Sequence, residues 1–184
     1  MNSHFLLEKL ENSEEYKKFK KENPNSYLCS GFFIIDYGNH QRVLHNSCDP
    51  TGSRNSSDLD NKYHFDFYIP EKKQTFSFEL EEGIKLIPLE RDDGKVLNEV
   101  LMKEGFDFEE LKETILNEMA EKKITNKIQK MIFSLQNNEG KDVLFGTIFI
   151  SGLGLIRVNF DISEGKITDF EKSSLFDMVK VVKK

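Results

Sequence analysis

The chain has 184 residues, 38% hydrophobic and 32% charged, with 16 Phe and no Trp. That balance excludes a disordered chain and supplies a Phe-rich core for one medium domain, or for two small units that share one. A formal net charge of −6 argues against a broad phosphate-binding surface, which needs clustered Lys and Arg, so nucleic acid is not an expected partner.

The start, Met1-Asn2-Ser3-His4-Phe5-Leu6-Leu7-Glu8, gains acidic charge before any hydrophobic region develops, so no export signal is read there. Two short helical pieces follow. Ser13 suits a helix N-cap, Glu14-Glu15 the first turn beside it, and Pro24 ends the segment. Tyr16 and Phe19 share its inner face, and the lysines among Tyr16-Lys17-Lys18-Phe19-Lys20-Lys21 read as its solvated face. The run Tyr27-Leu28-Cys29-Ser30-Gly31-Phe32-Phe33-Ile34-Ile35-Asp36 is rich in β-formers and stops at Gly38-Asn39. Its apolar core is far too short to span a membrane.

A stretch dense in Ser, Asn, Asp and Gly occupies residues 39–62. Beyond it the alternation is clean. Phe65, Phe67 and Ile69 fall on one face, His64, Asp66 and Tyr68 on the other. Phe76, Phe78 and Leu80 then alternate with Thr75, Ser77 and Glu79, and Ile84-Lys85-Leu86-Ile87 predicts a short strand before the turn Asp92-Asp93-Gly94. Residues 95–104 read as a helix closed by Gly105. Asp107 caps the next helix, with Glu110 completing a capping box, Phe106 and Leu111 placed as a staple, and Phe108, Leu111, Ile115 and Met119 as one stripe. Four strands are predicted over 128–135, 143–151, 155–163 and 166–171, joined by turns at Asn137-Asn138-Glu139-Gly140, Gly152-Leu153-Gly154 and Glu164-Gly165. In the third, Ile156, Val158, Phe160 and Ile162 oppose Arg157, Asn159 and Asp161. The apolar tail over 175–182 fits strand and helix equally.

The chain also resembles itself. The segment from Leu28 to Asp36 aligns with that from Val143 to Ser151, setting Gly31 against Gly146, and Phe67 to Lys73 aligns with Phe160 to Lys166. The polar stretch of the first copy stands where the second has only a tight glycine turn, and long loops of this kind are functional or disordered. The predicted fold is therefore α+β: two helix-plus-antiparallel-meander units, 1–90 and 91–184, the first with an inserted polar loop at about 39–62.

On the capped helix at Asp107, the meander and the hairpin Asn159-Phe160-Asp161-Ile162-Ser163-Glu164-Gly165-Lys166-Ile167, the second half resembles PepSY-type units of the cystatin-like fold, in tandem with a blurred first copy. The resemblance implies a helix on an antiparallel sheet and a regulatory, extracytoplasmic setting. With no export signal read, and only Cys29 and Cys48 as cysteines, the expected location is the cytoplasm, with no membrane association.

Candidate chemistry is sparse. His40, His45 and Cys48, beside Asp49, are the one cluster with metal-ligating chemistry, and Cys29 or His64 stands near enough in sequence to add a fourth ligand. Their H-x4-H-x2-C spacing matches no standard zinc pattern, so a solvated loop is the plainer reading. Asp58, Asp60 and Asn61 lack the Gly and distal Glu of a calcium loop. No nucleophile elbow occurs, and Cys29 in an apolar strand reads as a small buried hydrophobe. His64, Asp66, Tyr68, Arg157, Asn159 and Asp161 line a cleft in one reading and a wetted sheet face in the plainer one. No catalytic residue or cofactor is assigned. The expected function is a non-enzymatic binding or regulatory module that meets a protein or peptide through sheet edges and the inserted loop. The alternative is a small metal- or ligand-binding protein using His40, His45 and Cys48, and edge-to-edge homodimerisation is a further possibility.

Overall fold

The structure is a computed structural model that describes residues 1–37, 61–90 and 97–174. Local chemistry sets its helices. Asn2 accepts a hydrogen bond from the His4 amide at 2.8 Å and opens α1 (Ser3–Glu11). Ser13 then serves two helices: its hydroxyl donates to the Leu10 carbonyl at 2.6 Å and accepts from the Tyr16 amide at 3.1 Å, closing α1 and opening α2 (Glu14–Glu22). Asp107 accepts from the Glu109 amide at 2.9 Å to start α3 (Phe108–Glu121), whose buried stripe is Phe108, Leu111, Ile115 and Met119, as the spacing predicts.

Eight strands complete the described fold: β1 (Tyr27–Asp36), β2 (Lys62–Ile69), β3 (Gln74–Glu79), β4 (Lys85–Leu89), β5 (Ile128–Asn138), β6 (Lys141–Ile150), β7 (Gly154–Asp161) and β8 (Lys166–Ser174). They form one antiparallel sheet in the order β4-β3-β2-β1-β5-β6-β7-β8. The protein is thus α+β, with three helices and an eight-stranded antiparallel sheet among the described residues. The hairpin turns follow their residues. Glu139 and Gly140 both take positive φ, 53° and 85°, as a two-residue turn matched to strand twist requires. Gly152 and Leu153 also take positive φ, 78° and 56°, within the three-residue turn between Ile150 and Gly154.

The middle of the sheet is the β1–β5 pair, in register at Phe33 and Phe133. Gly31 and Gly146, set against each other in the self-alignment, stand in β1 and β6, with β5 between them. The two glycines answer a packing need. A Cβ on Gly146 would stand 2.5 Å from Val158 Cγ2 and 2.8 Å from the Phe133 ring, and one on Gly31 would stand 2.8 Å from the Phe33 ring.

All three helices cover one face. Leu6, Leu10, Phe19, Phe108, Leu111, Ile115 and Met119 enter a single core with Phe33, Phe65, Phe67, Phe78, Met131, Phe133 and Ile148. Edge-on aromatic contacts join the layers, Phe19 to Phe78 at 5.2 Å and Phe33 to Phe108 at 5.4 Å.

The helix predicted over 95–104 is not formed in its described part, residues 97–104. This segment is a strap around the end of the sheet. Val100 and Met102 are buried while Leu101 between them is 47% exposed, a period of two rather than 3.6. Its amides bond outward instead of along a helix: Val100 to the Leu28 carbonyl at 2.8 Å, Leu101 and Met102 to the Asp142 carboxylate at 3.1 and 2.8 Å. Asp142 is distant in sequence, so the local pattern carries no sign of it. The tail over 175–182 and the turn Asp92-Asp93-Gly94 lie outside the described residues.

Candidate functional site

The opposite face of the sheet carries no helix among the described residues. Strand alternation places Phe32 and Ile34 of β1, His64 and Asp66 of β2, Ser77 of β3, Ile132 and Ser134 of β5, and Phe145 and Phe149 of β6 on it. Phe32, Ile34, Ile132, Phe145 and Phe149 are each half-buried.

A depression of about 260 Å³ lies in this face, lined by polar Ser30, His64, Asp66, Ser77, Ser134 and Gln136 with apolar Phe32 and Leu89. Ser30 faces Asp66 across β1–β2 and donates to its carboxylate at 2.6 Å. Gln136 donates to Ser134 at 2.9 Å. At the rim, His64 Nε2 lies 2.9 Å from Glu81 and 3.8 Å from Glu79, and its ring stands 6.0 Å from that of Phe32. The serine hydroxyl is thus bonded to a carboxylate, and the imidazole lies within bonding distance of a second, Glu81, with Glu79 further off. An acyl-transfer nucleophile needs the opposite arrangement, imidazole against hydroxyl.

A second hollow of about 190 Å³ adjoins the first and shares Gln136 with it; Cys29, Asn98, Asn138 and Phe145 contribute to its walls. Cys29 sits at a β-bulge between Leu28 and Ser30, is 1% exposed, and points its sulfur at the Asp66 carbonyl, 3.3 Å away. The small buried hydrophobe expected there is what the strand contains.

His40, His45 and Cys48 lie outside the described residues, as do Asp49, Asp58 and Asp60. Asn61 is described, and its Oδ1 accepts from the Asp36 amide at 2.9 Å. Among the described residues no group of three or more His, Cys, Asp or Glu is arranged to hold a metal ion. His64, Asp66 and Tyr68 share a face with Arg157 and Asn159, but β2 and β7 are four strands apart, about 19 Å at ~4.8 Å per strand. They line no common cleft. Asp161, read with the solvated set, is 5% exposed. The Ser163 hydroxyl at 2.6 Å, then Lys141 at 3.2 Å and the Glu164 amide, hold its carboxyl down at about 2. Ser30, Ser77, Ser134 and Gln136 escape sequence reasoning because only cross-strand register brings them together; their one signal is a polar residue at alternate positions of an apolar strand.

No protein-family model matches the chain, and no curated protein matches it significantly. Among solved structures, the crystal structure of a putative lipoprotein from Clostridium difficile 630 is similar with a TM-score of 0.48 and 13% identity, over 87% of this chain and 91% of that one. The expected α+β class is borne out, a few helices with a large antiparallel sheet among the described residues; the PepSY-type, cystatin-like resemblance is not confirmed. No helix among the described residues is long and apolar enough to cross a membrane.

Proposed function

We propose that the protein is a non-enzymatic binding or regulatory module, built as two helix-plus-meander units joined through β1 and β5, whose contact surface is the helix-free face of the sheet. The observation that carries this reading is the double hollow at Ser30, Asp66 and Gln136, set among half-buried Phe32, Ile34, Ile132 and Phe145. A polar-lined concavity beside apolar anchors is how binding surfaces are usually built. The strand order supports the two-unit reading, since β1 and β5 each begin a four-stranded meander that runs outward from the middle.

The sheet edges are less suited to strand addition. Pro88 stands in β4 opposite Phe76; lacking an N–H, it leaves a gap in any ladder built onto that edge. β8 carries Lys166, Asp169, Glu171 and Lys172 and a register shift against β7, both of which discourage pairing.

The test uses peptides selected from a random displayed library against the full chain, with isoleucine methyl groups labelled for NMR. Saturable shifts at Ile34 and Ile132 are expected. Shifts confined to the helix-covered side, at Ile115 and Ile148, would overturn the assignment of the face.

A further inference from the structure

Among the described residues Asp66 is a half-buried carboxylate that makes no ion pair, and its one side-chain hydrogen bond comes from Ser30 at 2.6 Å. Directly across β2–β3 from it stands Ser77. Ser77 is 2% exposed, lines the larger hollow, and its hydroxyl has no hydrogen-bond partner among the described residues. The hydroxyl oxygen is not sealed in the interior; it opens on the hollow, where it can accept a hydrogen bond from a bound donor. Among the described residues no Lys or Arg lines the hollow, while Glu79 and Glu81 crowd the His64 imidazole at its rim. The local charge therefore favours a cation. Phe32 offers an aromatic wall against which such a group packs favourably. The adjoining hollow differs: side-chain amides of Asn98, Gln136 and Asn138 surround it, which suit the N–H and C=O groups of a peptide main chain.

We infer that the larger hollow binds the side-chain cation of an arginine or lysine presented by a partner polypeptide, with Asp66 as counter-ion and Ser77 Oγ as acceptor, while the amide-lined hollow takes the main chain beside it. This rests on the reading of the helix-free face as the contact surface and names the chemistry of what docks there. The partner is basic at one position and needs no further charge.

The isotope-labelled full chain is titrated with acetyl-Gly-Gly-Arg-Gly-Gly-amide, with the same peptide carrying norleucine in place of arginine, and with agmatine. The arginine peptide shifts the amide signals of Ser30, Asp66 and Ser77 saturably, and binds about tenfold more tightly than the norleucine peptide, the factor set by one charge-assisted hydrogen bond. Asp66→Asn removes that advantage. Ser77→Val, which keeps a β-favouring residue in the strand, weakens the arginine peptide on its own, so the inference stays testable if Asp66→Asn fails to fold. Glu171→Gln on β8 leaves binding unchanged.

Equal affinity for the two peptides, or an undiminished advantage in Asp66→Asn, overturns the inference. Agmatine binding as tightly as the arginine peptide overturns the polypeptide as occupant and points to a free amine. An inert arginine peptide, with library-selected peptides still moving Ile34 and Ile132, sinks the cation site alone. If both sets are inert, the reading of the face fails with it.

Discussion

Phe32 and Phe33 are adjacent in β1 and chemically identical, yet the two faces of the sheet use them differently. Phe33 is fully buried, within 5.7 Å of the rings of Phe65, Phe106 and Phe108. Phe32 is half-buried, with the His64 ring 6.0 Å away as its ring neighbour. One face spends its aromatics on holding helices to strands. The other keeps apolar side chains at a surface that also contains the Asp66 carboxylate, bonded to Ser30, and a hollow. Under the proposed function, these apolar residues held half in water beside concave polar ground serve contact with a partner more than stability.

Truncation separates the two roles most sharply. Phe33→Ala is expected to cost about 3–5 kcal/mol in urea unfolding, from lost burial and the cavity left behind. Phe32→Ala should cost well under half of that; equal losses would mean that the helix-free face is as tightly packed as the core and is no contact surface. Next in size is Asp142→Ala, which takes away the acceptor for the Leu101 and Met102 amides. About 1–3 kcal/mol should be lost, with faster amide exchange at Met102. Exchange there unchanged would show that burial of Val100 and Met102 holds the strap by itself.

The smallest effect concerns pH. Asp161 is held at about 2 against an ordinary 3.8, chiefly by the Ser163 hydroxyl and then by Lys141. A depressed carboxyl stabilises the fold above its unfolded value and loses that contribution as pH falls through the folded one. The melting temperature should therefore drop between pH 4 and pH 2. That drop should be shallower in Asp161→Asn, measured by calorimetry at both pH values. Parallel curves would assign the acid limb to other carboxyls, Asp107 and Glu164 among them, which are also lowered.

Much of this architecture is legible in the sequence, and the legible part is local. Ser13 and Asp107 mark helix starts because capping is decided within three residues. The alternation at Phe65, Phe67 and Ile69 marks a buried face for the same kind of reason. What the sequence hides is set at long range. The pairing of β1 with β5 has no local sign. The strap looks helical until Asp142 is brought beside it. The hollow needs Ser30, Asp66 and Ser77 in register across three strands, so no single segment announces it. His40, His45 and Cys48 stand outside the described residues, and the metal reading of them stays with its own test: metal content of untagged protein, with and without His45→Ala.

The central β1–β5 seam has a consequence for how the protein is made. Gly31 pairs with Leu135, so the ribosome must add roughly 100 residues between them, a delay of ~5–20 s at ordinary translation rates. Throughout that interval β1 offers one open ladder edge, carrying Phe32-Phe33-Ile34-Ile35, to any nascent chain nearby. Pairings of such separation also form slowly once the chain is released. The central seam of the finished sheet is therefore the one left open longest during synthesis, and chaperone dependence should track the time between the two strands rather than the stability of the final fold.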